Sequence, residues 1–136
     1  MSSRVLIVDD DQASIDLLTA DLRDVCDEIR GLTDSRQVEE VFGEFNPDLV
    51  ILDLHMPYPD GLEVLRMLRG ARETLGYLPV IVLTADTSRI ARNSALTLGA
   101  NDFLTKPLDR WDVKLRARNL LHTRHLYKEL RNANLL

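Results

Sequence analysis

The chain has 136 residues, a single cysteine, and 22 acidic against 17 basic side chains, giving a net charge of −5. That length fits one domain with a core large enough to need neither disulfides nor structural metal; one cysteine, Cys26, leaves no internal disulfide, and no Cys/His group has zinc-ligand spacing. No apolar stretch approaches the roughly 20 residues of a bilayer span and no charged-then-apolar leader opens the chain, so a cytoplasmic protein without membrane contact is expected.

Five apolar runs of strand length follow one another, each entering a turn and then a segment of helical spacing. The first, "RVLIVD" (4–9), leads to a stripe at Ile15, Leu18, Leu22 and Val25. The second, "DEIRGL" (27–32), is more polar and belongs at a sheet edge; Val38, Val41, Phe42 and Phe45 follow it. The third, "DLVILD" (48–53), precedes Leu62, Leu65 and Leu68, where Asp60 and Glu63 have capping-box spacing. The fourth, "PVIVLT" (79–84), precedes Ala91, Ala95 and Leu98, closed by Gly99. The fifth is "NDFLTK" (101–106), and Asp109 can cap the helix after it. The first, third and fourth runs are almost continuously apolar, as parallel strands covered on both faces must be. The alternation predicts an α/β fold: a five-stranded, doubly wound parallel sheet with right-handed crossovers.

In the last helix Val113, Ala117, Leu120 and Leu121 share a sheet-facing stripe, while Leu115, Leu126, Leu130 and Ala133 fall on the opposite side. Residues 110–136 carry a net +5 and the rest of the chain −10. The expectation is a domain over 1–122 and a helical extension over 123–136. The extension reads either as a lead into a missing output domain or as a seam for a homodimer. The basic face alone does not imply a nucleic-acid groove, and His122 and His125 read as surface residues.

Ligand sites in doubly wound sheets lie beyond the carboxyl ends of the strands. Those ends supply Asp9, Asp10 and Asp11, then Asp53, then Thr84, then Lys106 before Pro107. Asp9, Asp10 and Asp53 brought together repel one another unless a cation sits among them, and oxygen ligands select magnesium (or manganese) over zinc. Lys106 and the Thr84 hydroxyl suit an incoming anion. Such a set is built for phosphoryl transfer, with the Asp53 carboxylate as nucleophile and phosphate acceptor.

Residues 4–121 resemble the receiver domain of two-component response regulators, through "LIVDDD", "LVILDLHMPYPDG", "VIVLTAD" and "GANDFLTKPLD" in that order and spacing. The resemblance implies a flavodoxin-like (βα)5 fold whose last helix is extended. It makes Asp53 the phosphorylated residue, Asp9 and Asp10 the magnesium-holding pair, and the His55 carbonyl a further ligand. It implies that Thr84 and Lys106 bind phosphoryl oxygens, that Phe103 is the switch aromatic, and that the Lys106–Pro107 bond is cis. Phe103 lacks the hydroxyl of the tyrosine frequent at that place. The side chains of His55 and Asp86 stand where the family tunes dephosphorylation. The implied partner is a sensor histidine kinase or histidine phosphotransfer protein, and the implied enzymatic activity is confined to the domain's own loading and hydrolysis. The last helix is also similar to receivers joined to cyclic-di-GMP phosphodiesterase or cyclase domains. Two alternatives remain at this stage. One is a haloacid-dehalogenase-like phosphohydrolase with Asp9 as nucleophile and Asp11 as acid; the other is a pseudo-receiver that binds partners without phosphorylation.

Overall fold

The computed structural model describes residues 3–85 and 88–136, with the backbone alone at 74 and 75. Its elements alternate as the sequence pattern predicts. They are β1 (Arg4–Val8), α1 (Gln12–Leu22), β2 (Glu28–Leu32), a 3-10 turn (Ser35–Gln37), α2 (Val38–Phe45), β3 (Leu49–Asp53), α3 (Gly61–Leu75), β4 (Val80–Thr84), α4 (Arg89–Thr97), β5 (Asp102–Thr105) and α5 (Arg110–Asn132). The strands form one parallel sheet in the order β2-β1-β3-β4-β5. The polar second strand is therefore an edge, and the three apolar strands are central. No helix among the described residues is long and apolar enough to cross a membrane.

Side-chain alternation divides the core into two layers. Val5, Ile7, Leu49, Ile51, Ile81 and Leu83 face α1 and α5, where Ile15, Leu18, Leu22, Val113, Ala117 and Leu121 complete one cluster. Leu6, Val8, Val50, Leu52, Val80 and Val82 face α2, α3 and α4, against Phe42, Phe45, Val64, Leu65, Leu68 and Ala95. Half-buried Cys26 borders the first layer, where burial pushes its thiol up to about 11, so it is un-ionised at neutral pH.

Four of the five helix starts carry a side-chain cap; α2 has none and instead continues from the 3-10 turn before it. Asp11 accepts from the Ala13 N–H, Asp60 from the Glu63 N–H, Ser88 from the Ala91 N–H, and Asp109 from the N–H groups of Trp111 and Asp112. At α3 only half of a capping box forms, because the Glu63 carboxylate pairs with Arg66 instead of turning back. Gly99, at φ +99°, turns the chain out of α4 toward β5.

Helix α5 is continuous through residue 132, and its outer half is tied to the body. Arg124 donates to the Tyr77 carbonyl at 2.6 Å and to Asp48 at 3.3 Å, and Lys128 reaches Asp48 at 3.1 Å. The Tyr127 ring lies against Tyr77, with centroids 6.1 Å apart. It fills the place a side chain would take at Gly76, whose φ is +79°. Leu115, Leu126, Leu130 and Ala133 are exposed on the other side.

The first residue of α3 sits directly beneath the end of β3. A Cβ at Gly61 would lie 2.5 Å from the Leu54 Cα and 2.6 Å from the Asp53 carbonyl oxygen, both backbone atoms. Gly61→Ala is expected to destabilise the fold by about 1–3 kcal/mol, the cost of overpacking a site that cannot yield. Urea unfolding measures this, with Gly70→Ala as control, since a Cβ there meets nothing within 4 Å; equal midpoints for the two variants would refute the packing argument.

Candidate functional site

Three backbone hydrogen bonds extend the sheet past its strand ends and fix the residues that follow. The Asp9 N–H donates to the Leu32 carbonyl at 3.1 Å, Leu54 to Leu83 at 3.0 Å, and Lys106 to Thr84 at 2.8 Å. The carboxylates thus project from backbone that the sheet's own hydrogen bonding holds in place. Asp9 is fully buried, Asp53 is 6% exposed and Asp10 is exposed. One ligand oxygen from each of the three lies within 4.8 Å of the others.

Lys106 binds two members of this group. Its Nζ lies 3.1 Å from Asp9 Oδ2 and 3.3 Å from Asp53 Oδ2. The remaining oxygens accept backbone donors: Asp9 Oδ1 from the Asp11 N–H at 2.9 Å, and Asp53 Oδ1 from the His55 N–H at 3.1 Å. Three carboxylates against one ammonium leave two negative charges. Burial pushes the Asp53 carboxyl above its ordinary value and the Asp9 charge adds to this, while the His55 N–H and Lys106 pull the other way. Burial alone would lower Lys106, but its hydrogen bond to Asp9 and the charges of Asp53 and Asp9 outweigh that and raise it.

The donor set fits a hard divalent cation. It is all carboxylate oxygen, its uncompensated charge is the one such an ion carries, and one carboxylate opens to water. Asp9, Asp10 and Asp53 would hold the ion.

The other sequence candidates divide between this group and its margins. Thr84, fully buried, is the last residue of β4 and pairs with Thr105. Phe103 pairs with Val82, two positions before Thr84, so both project to the α3/α4 face; Phe103 is half-buried against that layer. The His55 ring is exposed while its N–H holds Asp53. Asp11 caps α1 and accepts from the Ser14 hydroxyl at 3.1 Å. Asp86 lies outside the described residues. The Lys106–Pro107 bond is cis, and so is Tyr58–Pro59, which sequence reading did not anticipate. Sequence reading also missed Ser35, whose hydroxyl donates to the Pro59 carbonyl at 2.6 Å and ties the loop after Asp53 to the start of α2. No local pattern marks a contact between residues 24 positions apart.

Residues 5–118 match the family model described as the response regulator receiver domain. The response regulator PleD of Caulobacter vibrioides is 37% identical over 131 residues, covering 96% of this chain. The response regulator MprA of Mycobacterium tuberculosis is 38% identical over 121 residues, covering 89%. The chain spans 29% of the first relative's length and 51% of the second's. Among solved structures, the receiver domain of the Francisella response regulator 1452 superposes with a TM-score of 0.79 at 26% identity, covering 89% of this chain and 98% of that one. A CheY-like receiver domain protein from Methanospirillum hungatei reaches a TM-score of 0.83 at 22% identity, covering 93% and 99%, and shows the shared fold.

Removing the ammonium leaves the buried Asp9 charge without its partner, so Lys106→Met is expected to cost about 2–4 kcal/mol in metal-free protein at pH 7. The loss should shrink as pH falls. A carboxyl whose folded value is raised binds its proton more tightly in the folded state, so stability is present at low pH and declines as pH rises through that value. Urea midpoints of both proteins in chelator between pH 5 and 8 check this; a penalty independent of pH would contradict it.

Proposed function

The chain belongs to the response regulator receiver domain family, and from that premise we propose that Asp53 accepts a phosphoryl group from a phosphohistidine on a sensor kinase or phosphotransfer protein. The observation that carries the reading is the convergence of Asp9, Asp10, Asp53 and Lys106 at the carboxyl end of one sheet, with Asp53 delivered by the wholly buried strand β3. An Asp53 carboxylate oxygen forms a bond to phosphorus as the donor's N–P bond breaks. The freed imidazole takes up a proton, and the product is an acyl phosphate. A bound magnesium ion would neutralise charge on the phosphoryl oxygens. The Asp53 side chain is held for in-line approach by the His55 N–H and by Lys106, which also offers its ammonium to a phosphoryl oxygen. Thr84, at the adjoining strand end, suits the same anion through its hydroxyl. The Thr84–Phe103 face is the element such a change would bias.

The domain promotes its own loading and slow hydrolysis and turns over no separate substrate. Output passes through contacts of its surface; the exposed stripe of α5 at Leu115, Leu126 and Leu130 suits a second copy or a following helix. Asp9 as phosphohydrolase nucleophile is less well supported, because residues 5–118 match the receiver-domain model and Asp9 is fully buried while Asp53 keeps 6% exposure. A phosphorylation-independent module would leave the assembly of Asp53, Lys106 and the acidic pair without a purpose.

Incubation with magnesium and acetyl phosphate, followed by intact mass, should show one added phosphoryl group on the wild type. Asp53→Asn should abolish it, and chelation should slow it at least tenfold. A label that persists in Asp53→Asn and disappears in Asp9→Asn would favour the phosphohydrolase.

A further inference from the structure

Asp48 and Asp53 flank opposite ends of β3, and around Asp48 the molecule carries the opposite charge pattern. There α5 runs past the amino ends of β1 and β3, and a groove of about 390 Å³ opens between them. Its α5 wall presents Arg118, His122, Arg124, His125 and Lys128. The facing wall contributes one carboxylate, Asp48, which is already saturated: Oδ1 accepts from Arg124 and Lys128, and Oδ2 from the Arg4 N–H at 3.0 Å. Three permanent cations and this carboxylate line the groove; Arg124 and Lys128 are spent on Asp48, and His125 pairs with Glu129 at 3.2 Å, which leaves the Arg118 guanidinium and the His122 imidazole.

This arrangement differs from a solvated basic helix face. The side chains at 118, 122 and 125 are spaced i, i+4, i+7, so they line one side of the helix, the side that borders the groove. The side chains of Arg118 and His122 make no hydrogen bond among the described residues; Arg118 feels Asp24 only through charge. Their donors therefore remain for a ligand. Val25 and Leu121 add an apolar part to the lining.

We propose that this groove binds a small organic phosphomonoester. At neutral pH such a group carries a charge of about −1.5 to −2, and its three oxygens can engage the Arg118 guanidinium fork and the His122 imidazole together. A monocarboxylate would bring half the charge. The apolar lining takes the organic portion, and the volume lies within the range of about 300–1,000 Å³ usual for small-molecule sites. The site is separate from the acidic pocket and stands whether or not Asp53 is phosphorylated.

The test is a titration of the 136-residue chain with phenyl phosphate, in chelator and at constant ionic strength, followed by amide and imidazole NMR shifts. Saturable shifts centred on Ser3, Arg118 and His122 are expected, weakened at least tenfold in Arg118→Gln/His122→Gln and unchanged in Asp53→Asn. Both substituted residues are exposed, so the double variant should unfold at the wild-type midpoint. Shifts that do not saturate, affinity retained in the double variant, equal binding of benzoate, or loss of binding in Asp53→Asn would each overturn the proposal.

Discussion

Everything at the carboxyl end of this sheet follows from one electrostatic constraint: three carboxylates share a space with a single ammonium. Lys106 can neutralise one charge and does so by bridging Asp9 and Asp53. Two charges are left over, in a place where Asp9 has no access to solvent. The fold supplies the rigidity that keeps them there. Strands β1 and β3 are buried along nearly their whole length, and the bonds from Asp9 to Leu32 and from Leu54 to Leu83 deny the chain any local relaxation. Stability is thereby sacrificed for a pocket poised to gain from a divalent cation and an incoming phosphoryl group.

The sheet was legible because parallel strands covered on both faces leave an unmistakable mark, an apolar run closed by a polar residue. Strand entrances were less so. Asp48 and Asn101 read as the first residues of strands, yet their side chains serve the neighbouring strands: Asp48 accepts from the Arg4 N–H, and Asn101 from the Val80 N–H at 2.9 Å. Polar side chains that substitute for ladder partners look, in sequence, like members of the ladder. The pocket was legible for a related reason. Its residues lie at strand ends, and a doubly wound topology brings those ends together whatever the loops do.

Contacts set only by tertiary placement left no trace. Arg72 of α3 donates to the Leu78 and Gly99 carbonyls and to the Asn101 side chain, pinning the end of α4 and the start of β4 to α3. The Asp48 hub joins residues 76 and 80 positions apart. These two staples bracket the face formed by α4, β5 and α5.

The charge account is tested most directly by the stability of metal-free protein at neutral pH, compared between wild type and Asp53→Asn. Burial and the Asp9 charge disfavour ionised Asp53, so a neutral side chain of the same shape should raise the urea midpoint, and magnesium should then stabilise the wild type more than the variant. A lower midpoint for Asp53→Asn in chelator, or an equal response to magnesium, would contradict the claim that this pocket holds uncompensated negative charge.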